Sequence, residues 1–304
     1  MDHKSFLASL SPAQCRELTE TSDRAGLLHL VLHLGAIALL AAFILARVPF
    51  WPVLMLPQGI LLVFLFTLLH EASHSTPFRT RWLNVAAAHL SGYVILLPPR
   101  WFRYFHFAHH RFTQVPGKDP ELASPKPDTW PQYLLYVSGL PVWIDHLGTI
   151  LRHAAGRCGD EFVPEAKRSM VRNEAWAMIG VYLVLLTGSI ALGSTALVFI
   201  WLIPMALGQP FLRLYLLAEH GHCAHVANML ENSRTTLTNA AVRQLAWNMP
   251  YHAEHHSYPS VPFHKLPVLH RLAAEHLKVT EKAYSSFHAR YAPAINGGEA
   301  ATNR

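Results

Sequence analysis

Apolar residues run almost unbroken over 26–47, 51–70, 175–193 and 196–217, and each run approaches the ~20 residues that a helix needs to cross a hydrocarbon core. The pattern predicts four membrane-spanning helices. The first two are joined only by Arg47-Val48-Pro49-Phe50-Trp51-Pro52 and the last two by Gly193-Ser194, so the spans pair as two tight hairpins. Between the hairpins, residues 71–173 mix apolar runs such as Val94-Ile95-Leu96-Leu97, and the stretch 133–150, with scattered polar positions. Such mixed stretches are expected to lie along a membrane surface. The proline-rich stretch 121–131 is predicted to be a loop. Elsewhere apolar residues recur about every 3.6 positions, and no alternating run marks a strand, so the fold class is an all-α integral membrane protein. Ahead of the first span, Ser11-Pro12-Ala13-Gln14 combines a cap, a first-turn proline and a residue able to reach back, which predicts a short interfacial helix. The polar start, Met1 to Arg24, has no cleavable signal pattern and is expected to remain. The chain divides into an interfacial segment (1–25), a membrane domain (26–290) and a tail expected to be disordered (291–304).

Composition sharpens this picture. Hydrophobic residues make up 51% of the chain and charged ones 14%, which is unusual for a soluble protein. The net charge of +6 and a pI near 9.3 would suit a nucleic-acid partner. Their distribution points to topology instead: three Lys or Arg precede the first span, twelve lie between 71 and 173, eight follow residue 220, and none lies at 48–50 or 194–195. The positive-inside rule then puts both termini and the long central segment in the cytosol, and no nucleic-acid partner is expected. Cys15, Cys158 and Cys223 are odd in number and lack CxxC spacing, which excludes a disulfide framework, a zinc ribbon and a built-in iron–sulfur centre.

Histidine is the unusual residue, with 21 in 304. His70-Glu71-Ala72-Ser73-His74 is an HxxxH pair, and His106-Phe107-Ala108-His109-His110 and His252-Ala253-Glu254-His255-His256 are both HxxHH. Positions i, i+3 and i+4 share a helical face, so each cluster can aim its rings at one point. The predicted topology places all three clusters, and His220 at the end of the fourth span, at one interface. Nine imidazoles exceed what one tetrahedral zinc accepts and suit two metals with open positions, iron above all. The Glu-x-x-His pairs of carboxylate di-iron bundles are absent. His29, His33, His89 and His288 read as ordinary hydrogen-bonded side chains. If the fourth helix continued past His220, His222 would be turned ~200° and His225 ~140° from it, so only His220 is expected to bind metal.

These motifs resemble the membrane fatty acid desaturase family, whose boxes run HxxxH or HxxxxH, HxxHH, HxxHH in this order. Asp119-Pro120-Glu121, Ala218-Glu219-His220-Gly221 and His255-His256-Ser257-Tyr258-Pro259 extend the resemblance, which covers the chain from the first span to about Leu277. It implies a cytosolic helical cap holding two irons, with O2 as co-substrate. The ligands it implies are His70, His74, His106, His109, His110, His220, His252, His255 and His256. Some members place an asparagine four residues before the ninth histidine; Leu216 stands there here, and Asn248 is the nearest substitute. Arg213, Glu219 and Glu254 are further candidates for contacts beside the ligands or with substrate, although Arg213 could also simply snorkel to the interface. The resemblance implies a lipid or acyl substrate and desaturation of acyl-lipid type, with hydroxylation as the alternative. The chain has no GxGxxG or CxxC motif of its own, so electrons are expected from an external ferredoxin-like or cytochrome carrier and its reductase. A rival reading takes His70-Glu71-Ala72-Ser73-His74 as the HExxH of a zinc protease, with Glu71 as general base. A metal carrier is a further rival, but its histidines should line the bilayer interior.

Overall fold

The computed structural model of the chain describes residues 1–295. Helices α1 (His3–Ser9) and α2 (Pro12–Leu18) precede α3 (Asp23–Leu45). The capping box of α2 forms as its sequence requires, with Ser11 Oγ accepting from Gln14 N at 3.2 Å and Gln14 Oε1 accepting from Ser11 N at 2.8 Å. The next span joins α4 (Trp51–Val63) to α5 (Leu65–His74), so it carries the whole first histidine box past the expected end at 70. Helices α6 (Arg81–Val94), α7 (Pro99–Phe112), α8 (Trp130–Ser138) and α9 (Leu140–Ala154) fill the central segment. Helices α10 (Arg168–Ala191) and α11 (Ile203–His220) form the second hairpin, a π-helical turn at Val198–Leu202 leading into α11. Four helices are thus long and apolar enough to cross a membrane. Their outward residues, such as Val31 and Leu32 on α3 and Val184 and Ile190 on α10, are exposed apolar side chains, as a lipid-facing surface requires.

Two differences from the sequence pattern concern the central segment. The stretch 133–150, expected to be interfacial, is a bent pair of helices, α8 and α9, meeting at 57°. Gly139 makes the bend, its φ of 72° being in the left-handed region that glycine adopts without strain. The expected loop 121–131 ends early, because Thr129 caps α8 and Pro131 occupies its first turn.

Spans two and four cross with their backbones in contact. A Cβ on Gly59 would lie 1.8 Å from the Pro204 carbonyl oxygen, and one on Gly208 would lie 2.3 Å from the Gly59 backbone. Small residues at a crossing are how membrane helices gain packing where burial alone gives no drive. This crossing brings the ends of α5 and α11 side by side.

The rest of the chain returns to that same end as short helices: α12 (Met229–Asn232), α13 (Ala240–Leu245), α14 (His252–Ser257), α15 (Leu266–Ala273) and α16 (Tyr284–Ala294). Among the described residues, strand is limited to a parallel pair, Thr235–Thr236 with Thr280–Glu281. The N-terminal helix closes on this layer, His3 N donating to Asn228 Oδ1 at 2.9 Å. Helix α16 runs past the expected boundary at 291 because Tyr291 is buried and donates from its hydroxyl to Pro127 O at 2.6 Å. Residues 296–304, the remainder of the expected tail, lie outside the described residues.

Candidate metal centre

Each histidine cluster sits where its helix is held from outside. Helix α7 begins at Pro98-Pro99, which removes donors from its start and leaves the Arg100 and Trp101 amides to be satisfied. Glu174 of α10 satisfies both, at 3.0 Å to Arg100 N and 3.3 Å to Trp101 N, and so fixes the helix that carries His106, His109 and His110. The last turns of α5 present His70 and His74. Helix α11 ends on His220, and α14 presents His252, His255 and His256.

The nine side chains gather as two neighbouring groups. Ligand-type nitrogens of His70, His74, His106, His110 and His255 all lie within 4.8 Å of one another, and so do those of His109, His220 and His256. His252 joins the second group, its Nε2 2.9 Å from His220 Nε2. Nε2 atoms face each other across each group, at 2.7 Å for His70 with His255, 2.8 Å for His74 with His106 and 3.2 Å for His109 with His220. The groups share a wall, where the His110 and His256 rings stack at 4.1 Å.

The donor chemistry fits metal cations. Burial pushes the imidazoles of His106, His110, His252, His255 and His256 well below their ordinary range, so they are neutral donors. Both ring nitrogens of His110 and the Nε2 of His256 are buried without a hydrogen-bond partner, a cost that a bound cation would remove. At His109 burial acts in the same direction but is outweighed by Glu121 and Asp119, which hold its imidazole above the ordinary value. Those carboxylates favour positive charge at this spot, whether from a proton or a metal ion.

The outward Nδ1 atoms are braced by groups that the sequence reading did not assign. Asp119 Oδ1 lies 2.9 Å from His109 Nδ1, the Asn232 carbonyl 3.1 Å from His220 Nδ1, and Thr113 Oγ1 3.1 Å from His256 Nδ1. Glu219 lies beside His252, with Oε1 3.3 Å from His252 Nδ1. The motif Asp119-Pro120-Glu121 was the available signal, but the contact to His109 depends on the turn after α7 folding back. Asp119 also accepts from Gln114 N and Glu121 N, so the carboxylate is locked in place. Replacing it by alanine frees the His109 ring, and metal affinity at the second group is expected to fall about 10- to 100-fold. Metal titration of the variant checks this, and unchanged affinity would show that Asp119 does not orient the ring.

Other expectations are redirected. Asn248 does not face the histidines; it has φ of 57° and donates from Nδ2 to Phe263 O at 3.0 Å, so it shapes a loop. Glu254 bonds Thr235 and His270, bracing α14, because inside that helix its side chain points away from the gathered rings. Arg213 is half-buried and lines a cavity. Glu71 is 0% exposed; its Oε2 accepts from Thr76 Oγ1 at 2.8 Å and from Phe263 N, and its Oε1 lies 3.8 Å from His255 Nδ1, so the carboxylate sits buried behind the third histidine cluster. His222 and His225 are exposed away from the cluster, though for another reason than expected: α11 stops at His220, with Gly221 as its cap, and His222 stacks on Tyr291. His29, His33, His89 and His288 each bond a backbone carbonyl, as read from the sequence.

A cavity of about 320 Å³ opens onto both groups at His70, His106, His109 and His252. Its lining combines apolar Phe66, Ile95, Trp101, Phe102, Leu212 and Leu216 with polar Glu121, Lys126, Tyr136, Arg213 and Glu219.

A family model described as fatty acid desaturase matches residues 45–288, well over half of the chain. The chain is also similar to the sn-1 acyl-lipid omega-3 desaturase (ferredoxin) of Nostoc sp. (strain 36), 29% identical over 107 residues. That alignment spans 35% of this chain and 30% of the relative.

Proposed function

The chain belongs to the fatty acid desaturase family, and from that premise we propose that it is a membrane-bound, non-haem di-iron enzyme that uses O2 to desaturate an acyl substrate. The observation that carries the reading is the pair of adjoining imidazole groups opening onto one half-apolar cavity. His70, His74, His106, His110 and His255 would hold one iron, and His109, His220, His252 and His256 the other. Iron there would supply, with O2 and two electrons from a carrier, the power to break an unactivated C–H bond. The protein's own part is to place and protect. Asp119, Asn232 and Thr113 orient rings, and Phe66, Trp101, Phe102 and Leu212 exclude water and hold a methylene chain against His70 and His106.

Desaturation consumes one O2, two electrons and two protons and releases two waters; hydroxylation with the same inputs releases one water and leaves an oxygen on carbon. The two outcomes separate in one experiment. Expressed in a host with simple lipids, the chain should yield products lacking two hydrogens, read by mass spectrometry; products that gain an oxygen atom would make it a hydroxylase, and no oxygen-dependent product would sink both readings.

The electron carrier is proposed to be an acidic ferredoxin-like or cytochrome partner, with its reductase. The Nostoc relative has ferredoxin in its name, and exposed Arg111, Lys118, Arg271, Lys278 and Lys282 give this end of the molecule a positive surface. We place this end in the cytosol. Tags at residue 1 and within 121–131 should both report the cytosolic side; an external tag would separate the metal centre from its carrier.

A further inference from the structure

We propose that Arg213 and Gln209 form a carboxylate-binding subsite in the wall of the cavity, so that the substrate is taken as an unesterified carboxylic acid. This deepens the reading of the cavity as the substrate site and rests on it.

The two residues lie four apart on α11, hence one turn apart on one face, and both line the cavity. Gln209 is 2% exposed, its amide makes no hydrogen bond among the described residues, and its Oε1 is buried without a partner. Its position is set by packing: the bend at Gly139 lies so close that a Cβ there would be 2.6 Å from Gln209 Cβ. A buried amide held rigidly with nothing to bond is a group waiting for a ligand.

Arg213 has the matching property. Its guanidinium is always charged, yet no carboxylate lies within ion-pair distance of it among the described residues, and its Nε–H has no acceptor. None of the acids that share the cavity pairs with it. Glu121 pairs with Lys126, Glu219 lies against His252, and Asp145 forms no ion pair with the guanidinium. Tyr136 donates to the Arg213 backbone carbonyl at 3.1 Å and so braces the helix without touching the charge.

The chemistry of the missing partner follows. A planar two-oxygen anion matches the guanidinium fork and could take a second donor from the Gln209 amide NH2. An ester, thioester or amide carbonyl is neutral and would give the guanidinium no charge-assisted partner. The volume, near the lower end of ligand cavities, suits one short chain rather than a whole glycerolipid. Arg213 precedes His220 by two turns, about 10 Å along the helix axis. A carboxylate held there would therefore present to the imidazoles a carbon several bonds from the carboxyl group.

The test uses the full chain in lipid nanodiscs with labelled decanoate and methyl decanoate, a pair that differs in charge, and empty nanodiscs as the partition blank. Native protein should bind decanoate at least about tenfold tighter than the ester, the scale of one charge-assisted contact. Arg213→Met should bring the ratio to about one and Gln209→Leu should reduce it severalfold, while Arg79→Met, exposed outside the cavity, should leave it unchanged. Arg213→Lys, which keeps the charge but loses the fork, should retain part of the preference and serves as the second variant if Arg213→Met does not fold. Equal binding of the two probes by native protein, or a preference that survives Arg213→Met in folded protein, would overturn the subsite. Binding is read without turnover, so selective uptake with no oxidised product would remove the catalytic reading alone, and oxidation of an esterified chain with no charge preference would remove this one alone.

Discussion

Replacing His220 by alanine is expected to abolish product formation and to remove about half of the bound iron, while His222→Ala and His225→Ala keep both. His220 Nε2 lies 3.2 Å from His109 Nε2 and 2.9 Å from His252 Nε2, at the centre of the second group, and its Nδ1 is fixed by the Asn232 carbonyl. No other nitrogen is placed to replace it: His222 is exposed and stacks on Tyr291 with ring centroids 4.5 Å apart, and His225 is exposed. Losing a partner that merely orients a ligand costs about 10- to 100-fold in metal affinity, and losing the ligand itself should cost more. Iron analysis and product measurement on the three variants check this. Full iron and activity in His220→Ala, or equal loss in His222→Ala, would mean that the second group is drawn wrongly.

The second large effect is expected far from any histidine. Gly59→Val should destabilise the protein by roughly 3 kcal/mol, the upper end for overpacking, or prevent its folding, and any protein recovered should bind little iron. The added side chain would meet the Pro204 carbonyl, which is backbone and cannot rotate away, so the second and fourth spans must separate. Those spans carry His70, His74 and His220, and parting them pulls the first box from the ninth histidine. Gly35→Val, where a Cβ meets nothing within 4 Å, is the control and should be close to neutral. Thermal unfolding in detergent compares the two; equal stability of Gly59→Val and native protein would show that the spans do not touch there.

The spans and the histidine boxes were legible because they are local properties. Twenty apolar residues in a row have one stable solution in a bilayer, and an HxxHH run on any helix points its rings together. The capping box at Ser11 and Gln14 was readable for the same reason, since every partner lies within one turn. What the chain order could not show is which groups far apart in sequence come to rest behind the rings. Asp119 reaches His109 only because the turn after α7 folds back, and Asn232 reaches His220 from the segment after the fourth span. Glu254, inside a box, was a natural candidate and points the other way, because a helix that turns three histidines inward must turn the residue between them outward. Asn248 failed as a replacement for the asparagine whose place Leu216 takes, since its left-handed backbone and its bond to Phe263 commit it to a loop.

The sequence by itself therefore determined the class of this protein, its four spans and the nine imidazoles, because hydrophobic length and helical periodicity are written residue by residue. Tertiary structure alone decided the division of those imidazoles into five and four, the carboxylates and carbonyls that orient them, and the charged wall of the cavity. Each of these depends on where separate helices cross, and the closest crossing, at Gly59 and Gly208, is set by the space that two missing side chains leave.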